Sequence, residues 1–337
     1  MKILITGVHG FVGSNLVKAL SKEHTIYGLD IISPQKDGVK FTFGWEHLDT
    51  KEIPEVDAII HLAGKAHDTK NQSKAEVYFQ VNTELTKRIY DYFLAHEGIK
   101  KFIFFSTAKA AADRVEGVLT EDVVPKPVGP YGESKIKAEE YILNHSSCHF
   151  EPVEKSQRSL HDGRDDNAST GSATVGKQTY IFRPCMIHGP GNKGNLNLLY
   201  NMVKKGIPWP LGAFENRRTF TSVENICFAV NGVLTQDVPS GIYNIGDDEA
   251  LSTNELIEEI CKSLGKKARI WKLPKGLMTM FASLGGLLHL PLNPDRLQKL
   301  TENYVSSNSK IKKALGVDRM PVDAREGLRR TLKSFEE

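Results

Sequence analysis

The chain opens on a short apolar run, Ile3-Leu4-Ile5, followed by a glycine turn and then by Val12, Leu16, Ala19 and Leu20 on one helical face. The same alternation recurs. Apolar or β-branched runs at 25–29, 58–62, 102–105 and 180–182 are separated by helical patterns at 12–22, 75–97 and 131–145. Strand, helix, strand repeated in this way predicts a parallel sheet covered on both faces, an α/β architecture of the doubly wound Rossmann type. After about Pro184 the pattern becomes less regular, with helices near 195–205, 224–235, 253–264, 275–289 and 322–335. The division expected is a nucleotide-binding domain over 1–183 and a smaller substrate-binding lobe over 184–337. One polar segment, 146–177, is rich in Asp, Asn, Ser, Gly, Lys and Arg and reads as a mobile surface insertion.

Composition narrows the function classes. In 337 residues, 44 basic side chains face 41 acidic ones for a net charge of +3, no excess that would make nucleic acid or an anionic membrane the main partner. Cys148, Cys185, Cys227 and Cys261 are widely spaced and form no metal-ligand pattern, so no metal is expected and the thiols read as reduced, cytosolic cysteines. The N-terminus lacks the length of apolar chain and the cleavage site of a signal peptide, which also points to the cytoplasm. The most apolar stretch, Leu277–Leu292, is about 16 residues long, short of the ~20 needed to cross a bilayer. It reads as core of the second lobe, without membrane insertion.

The chemistry begins at Gly7-Val8-His9-Gly10-Phe11-Val12-Gly13, which follows the first strand directly and opens a helix. In that context the first glycine allows a tight turn, the second lets backbone approach a pyrophosphate, and the third lets helix pack on strand. Asp30 ends the second strand 23 positions beyond Gly7, where a carboxylate can bond the adenosine ribose hydroxyls and repel a 2′-phosphate. With no arginine in the turn or just after Asp30, NAD is favoured over NADP; Lys36 is the one feature pointing the other way.

Tyr131 and Lys135 stand one helical turn apart at a predicted helix start, so both project from one face. A phenol titrates near ~10, and positive charge from Lys135 and an oxidised nicotinamide together would bring it into range as a general base. Spacing alone does not decide, because Tyr200 and Lys204 repeat it. Position does: Tyr131 follows the strand ending at Ser106-Thr107, on the next crossover helix, whereas Tyr200 lies beyond the predicted sheet and reads as a helix-surface residue. Ser106 and Thr107 can each donate a hydrogen bond to a reacting oxygen.

Together with His61-Leu62-Ala63-Gly64, Asn82 and Arg183-Pro184, these residues resemble the extended short-chain dehydrogenase/reductase family, the NAD-dependent epimerases and dehydratases. Arg217 to Asn225 and Ser309 to Gly316 are similar to its nucleotide-sugar branch. The resemblance implies that Gly7, Gly10, Phe11, Val12, Gly13, Asp30, Ala63, Gly64, Lys65, Asn82, Ser106, Tyr131, Lys135 and Pro184 line the cofactor, with Thr107, Tyr131 and Lys135 catalytic. It implies substrate contacts from Thr107, Asn195, Arg218 and Tyr304, the last as a pocket wall. The substrate implied is a nucleotide-diphosphate sugar, and the assembly expected is a homodimer.

Dehydratases of this family carry Asp-Glu after Ser-Thr; here Ala108-Lys109 follow, which disfavours dehydration. What remains is a 4-epimerase, acting on a UDP-hexose or UDP-N-acetylhexosamine by transient oxidation at C4, or a 4-ketoreductase. A non-catalytic NAD-binding regulator is a third reading, against which the intact Tyr131, Lys135 and Thr107 set argues. The chain departs from the common epimerase pattern in having Ala111-Ala112 where Tyr-Gly is frequent, and in the 146–177 insertion.

Overall fold

The computed structural model describes residues 1–66, 74–146, 176–192, 194–287 and 293–336. The chain runs β1 (Lys2–Thr6), α1 (Phe11–Leu20), β2 (Thr25–Leu29), β3 (Phe41–Phe43), β4 (Ala58–His61), α2 (Ala75–Phe79), α3 (Leu85–Ala95), β5 (Lys101–Phe105), α4 (Ala108–Ala111), β6 (Val118–Leu119) and α5 (Pro130–His145). It continues through β7 (Gln178–Pro184), β8 (Met186–His188), α6 (Asn195–Lys204), β9 (Phe220–Ser222), α7 (Val223–Thr235) and β10 (Gly241–Ile245). Last come α8 (Thr253–Ser263), α9 (Lys275–Leu287), α10 (Pro294–Thr301), β11 (Val305–Ser306), α11 (Ser309–Leu315) and α12 (Ala324–Lys333).

Seven strands form one parallel sheet in the order β10-β7-β5-β4-β1-β2-β3. The order reverses between β1 and β4, whose ends meet at Thr6 opposite His61. In an open α/β sheet that reversal leaves a crevice at the carboxyl ends of the strands, the usual ligand position.

Strand side chains alternate between faces, and the core follows that period. Ile3 and Ile5 of β1 pack under α1 with Leu16 and Val17, whereas Leu4 points to the other face with Ile89 and Phe93 of α3 and Ile142 of α5. The expected division at residue 184 does not hold. Ile226, Val230 and Val233 of α7, Ile245 of β10 and Ile311 of α11 join the core of Ile3 and Ile5, and β10 pairs with β7 as an edge strand. The chain therefore returns to the sheet after entering the second lobe. That lobe has its own core, built on Leu196 and Tyr200 of α6, Ile257 and Ile260 of α8, and Leu328 and Leu332 of α12.

Two further expectations are revised. The predicted helix at 75–97 is interrupted by a π-helical turn over Gln80–Glu84. The apolar stretch from Leu277 forms α9 but is not core throughout: Met278 and Ala282 are buried, whereas Leu277, Met280, Phe281 and Leu284 are exposed. Its remaining residues, 288–292, lie outside the described residues, as does most of the polar insertion, 147–175. Among the described residues no helix is long and apolar enough to cross a membrane.

Candidate active site

The glycine turn is built as its spacing implies. Gly7 has φ +68°, and a Cβ there would stand 3.0 Å from the Ala63 amide nitrogen, so only glycine lets the β1 turn pass the end of β4. A Cβ on Gly13 would strike the Gly7 carbonyl, so α1 packs on the turn only without a side chain at that point. Gly10 caps α1 with no side-chain hydrogen bond, which leaves first-turn N–H groups for an anion. The Phe11 ring lies over Gly189 and Gly191 beyond β8, and Val12 packs against the core.

Asp30 is held at the mouth of this turn, with Oδ2 accepting from the His9 backbone at 3.0 Å and Oδ1 from that of Ile31 at 2.8 Å. Each oxygen keeps a lone pair for ribose hydroxyls. The Lys36 ammonium donates to the Ser14 hydroxyl at 2.8 Å.

A buried chain of hydrogen bonds joins the ends of β1 and β4 to the π-helical turn. Thr86 donates to the Asn82 carbonyl at 2.7 Å, so its hydroxyl accepts from His61 Nε2 at 2.9 Å. His61 Nδ1 then accepts from Thr6 at 2.7 Å, and the Thr6 oxygen accepts from the Leu62 and Ala63 amides. This order requires neutral imidazole. Burial, with the charge of Lys135 second, pulls His61 down to about 3. The π-helical turn presents Asn82, whose side chain clamps the Lys65 backbone on both its N–H and its C=O and donates to Ser134 on α5. A Cβ on Gly64 would come within 2.9 Å of Asn82 Oδ1 and 3.1 Å of Lys135 Nζ. The backbone there is bare, with polar groups converging on it.

Tyr131 and Lys135 reach this point from the start of α5. The Tyr131 phenol shares a hydrogen bond with the Thr107 hydroxyl and meets the Tyr78 ring edge-on at 6.4 Å. Burial raises its pKa, the Thr107 bond pulls it back, and Tyr78 adds to the rise. Lys135 Nζ donates to the Phe105 carbonyl at 2.8 Å over the Phe104 ring, and burial brings it down to about 8 against the opposing pull of Glu139. The Lys135 ammonium is directed at the strand-end carbonyl of Phe105. Ser106 takes neither expected use: its hydroxyl donates to Glu139, which also receives the Arg183 guanidinium, both carboxylate oxygens lying 3.1 Å from Nε. Glu139 lies one further turn along the face of Tyr131 and Lys135, a spacing visible in the sequence but unread as part of the site.

The family model described as "NAD dependent epimerase/dehydratase family" matches residues 3–153, which carry the glycine turn, Asp30, Asn82, Thr107, Tyr131 and Lys135. Over these residues the chain is similar to that family. The chain is 29% identical to a UDP-glucose 4-epimerase of Vibrio cholerae over 99% of this chain and 95% of that protein. It is 26% identical to N-acetyl-alpha-D-glucosaminyl-diphospho-ditrans,octacis-undecaprenol 4-epimerase of Escherichia coli O157:H7, over 92% and 84% of the two chains. Its fold is similar to that of UDP-glucuronic acid 4-epimerase from Bacillus cereus, solved with UDP-glucuronic acid and NAD, with TM-score 0.71, 20% identity and coverage of 100% and 99%.

The second lobe brings Arg218 and Tyr304 together. Their backbones form a bridge, Arg218 Nη1 donates to the Lys299 carbonyl at 2.6 Å, and burial lowers the guanidinium pKa. Tyr304 is buried, donates to the Ala112 carbonyl at 2.8 Å and packs on Ala108, Ala111 and Ala112, with Lys109 Nζ 4.7 Å from its ring. Tyr304 thus fills space left by the small Ala111-Ala112 pair, beside the Thr107 helix. Pro184 ends β7 opposite Ile245. Asn195 opens α6 as an exposed residue, and among the described residues no hydrogen bond joins it to the others. Tyr200 is not a surface residue: it is buried against Phe335, with Lys204 over its ring.

Proposed function

We propose that this chain is an NAD-dependent nucleotide-sugar 4-epimerase acting on a UDP-hexose or UDP-N-acetylhexosamine. The observation that carries the reading is the meeting of Tyr131 with Thr107, on the helix that also brings Lys135 to the bare backbone at Gly64 and to Asn82. The bare glycine turn and the fixed Asp30 carboxylate fit a dinucleotide, which Gly7, Gly10, Gly13, Asp30, Ala63, Gly64, Lys65, Asn82, Lys135 and Pro184 would hold. When bound there, NAD supplies a hydride acceptor that can also return the hydride. Thr107 orients the sugar 4-oxygen, and Tyr131 receives the 4-hydroxyl proton and gives it back. Lys135, cationic below about pH 8, adds positive charge to the site. Arg218 offers its remaining N–H groups to a diphosphate, a geometry that suits guanidinium, and Tyr304 forms the sugar-side wall.

The test is to look for NAD in the purified protein and incubate it with UDP-glucose, UDP-galactose and their N-acetyl forms without added cofactor. Interconversion of a 4-epimer pair is expected. Stoichiometric NADH consumption by a 4-keto sugar, with no interconversion, replaces the epimerase reading with a 4-ketoreductase. Neither activity with any of these substrates overturns both.

A further inference from the structure

Helix α9 buries one apolar side and exposes another. Met278 and Ala282 join the lobe core, where Leu297 of α10 also sits, yet Leu277, Met280, Phe281 and Leu284 are between 37% and 51% exposed. Their spacing of three, four and seven residues makes one continuous stripe. Trp271, 53% exposed, lies just before the helix.

The charge in the sequence around this stripe is one-sided. Between Glu259 and Asp295 the sequence has no Asp or Glu, while Lys262, Lys266, Lys267, Arg269, Lys272 and Lys275 fall within it. In a chain with 44 basic and 41 acidic residues, such a run is a local asymmetry. None of the ion pairs among the described residues uses Lys266, Lys267, Arg269, Lys272 or Lys275.

We infer that the α9 face docks on the surface of an anionic phospholipid bilayer. A 13-residue helix is about 20 Å long, short of the ~30 Å hydrocarbon core, so it would lie in the interface instead of crossing it. The apolar stripe enters the acyl boundary, the lysine and arginine collar meets the phosphates, and Trp271 sits at headgroup depth. Five basic side chains of residues 266–275 without an ion pair among the described residues complement an anionic lipid surface. Docking would also bring the proposed substrate contact near the bilayer, because α10, which packs on α9, provides the Lys299 carbonyl that holds Arg218.

The test is flotation of the full chain with vesicles of phosphatidylcholine alone, or with about 30% phosphatidylglycerol. Binding is expected to the anionic vesicles, to fall at ~0.5 M NaCl, and to be weak on the neutral ones. Leu277→Ser with Phe281→Ser, and separately Lys267→Glu with Lys272→Glu, should each lower the bound fraction about tenfold while sugar turnover in solution stays unchanged. Loss of a lipid-induced blue shift in Trp271→Phe would place that ring in the interface. The wild type remaining unbound to anionic vesicles at low salt overturns the inference. So does self-association in solution that Phe281→Ser abolishes without any vesicle binding, which would assign the face to a second copy. Neither result touches the 4-epimerase assay.

Discussion

The chain contains the same five-residue pattern twice, and the two copies end in different physical circumstances. Tyr131 and Lys135 begin α5, which packs on the parallel sheet, and their polar atoms meet Thr107 and the Phe105 carbonyl at strand ends. Tyr200 and Lys204 lie on α6 in the second lobe, where the phenol is buried against Phe335 and its hydroxyl has no hydrogen-bond partner among the described residues. In the first copy the strand end presents a hydroxyl and a carbonyl for the helix to meet; in the second the ring is filler and the lysine lies over it. Chemistry here comes from which sheet end a helix faces, and the spacing only makes it possible.

The strongest way to break this comparison is to remove the two phenol oxygens in turn. Tyr131→Phe should lower turnover ~10²–10⁴-fold, the range for a positioned proton-transfer group, with little change in folding. Parallel initial-rate measurements on both phenylalanine variants check this; an equal loss from Tyr200→Phe would sink the assignment. The next effect is on stability. Glu139 and Arg183 are both buried, and Glu139→Ala leaves the guanidinium without its carboxylate, a change of about 3–5 kcal/mol in comparable buried pairs. Urea unfolding should register it; a midpoint unchanged from wild type would mean that water or another group replaces the carboxylate.

How much of this was legible beforehand depended on range along the chain. The β1 run, the glycine turn, Asp30 and the start of α5 are short-range patterns, and their alternation specified a doubly wound sheet. The return of α7 and β10 to that sheet is a long-range pairing, and β10, Gly-Ile-Tyr-Asn-Ile, carries a polar residue that weakens its strand signal. Nothing in the apolar spacing of 75–97 announces the π-helical turn that aims Asn82, because a π-bulge is forced by its surroundings more than by local propensity. Tyr304 could be read as a wall, but its fit over Ala111 and Ala112 joins segments nearly 200 residues apart. Leu277–Leu284 misled in the other direction: apolar periodicity shows that a face exists, not whether protein covers it.

The His61 network separates the two regions by pH. The folded protein keeps this imidazole neutral down to about 3, whereas the unfolded chain binds a proton near 6.5. The unfolded state therefore takes up the extra proton between these values, and stability falls as pH drops through that window. The slope contributed is roughly 1.4 kcal/mol per pH unit. His61→Gln cannot titrate, so its deficit relative to wild type should shrink between about pH 7 and pH 5, while acid effects of other groups, common to both proteins, cancel. A deficit that stays constant would mean that the folded protein protonates His61 as readily as the unfolded chain does.

The smallest effect concerns the other copy of the pattern and tests whether it is packing alone. The Tyr200 hydroxyl is buried with no partner among the described residues, so folding strips it of water without a returning hydrogen bond from them. Tyr200→Phe keeps the ring against Phe335 and removes that cost, so the variant should be as stable as wild type or more stable by up to ~1 kcal/mol. Lys204→Ala should cost only a few tenths of a kcal/mol, as expected for an exposed lysine resting on a ring. Denaturation midpoints of both variants, measured beside turnover within about twofold of wild type, would show that identical spacing carries no catalytic meaning away from the strand ends. A loss of more than ~1 kcal/mol in Tyr200→Phe would instead reveal a hydrogen bond that the buried hydroxyl makes in solution, and with it a polar role for the second pair.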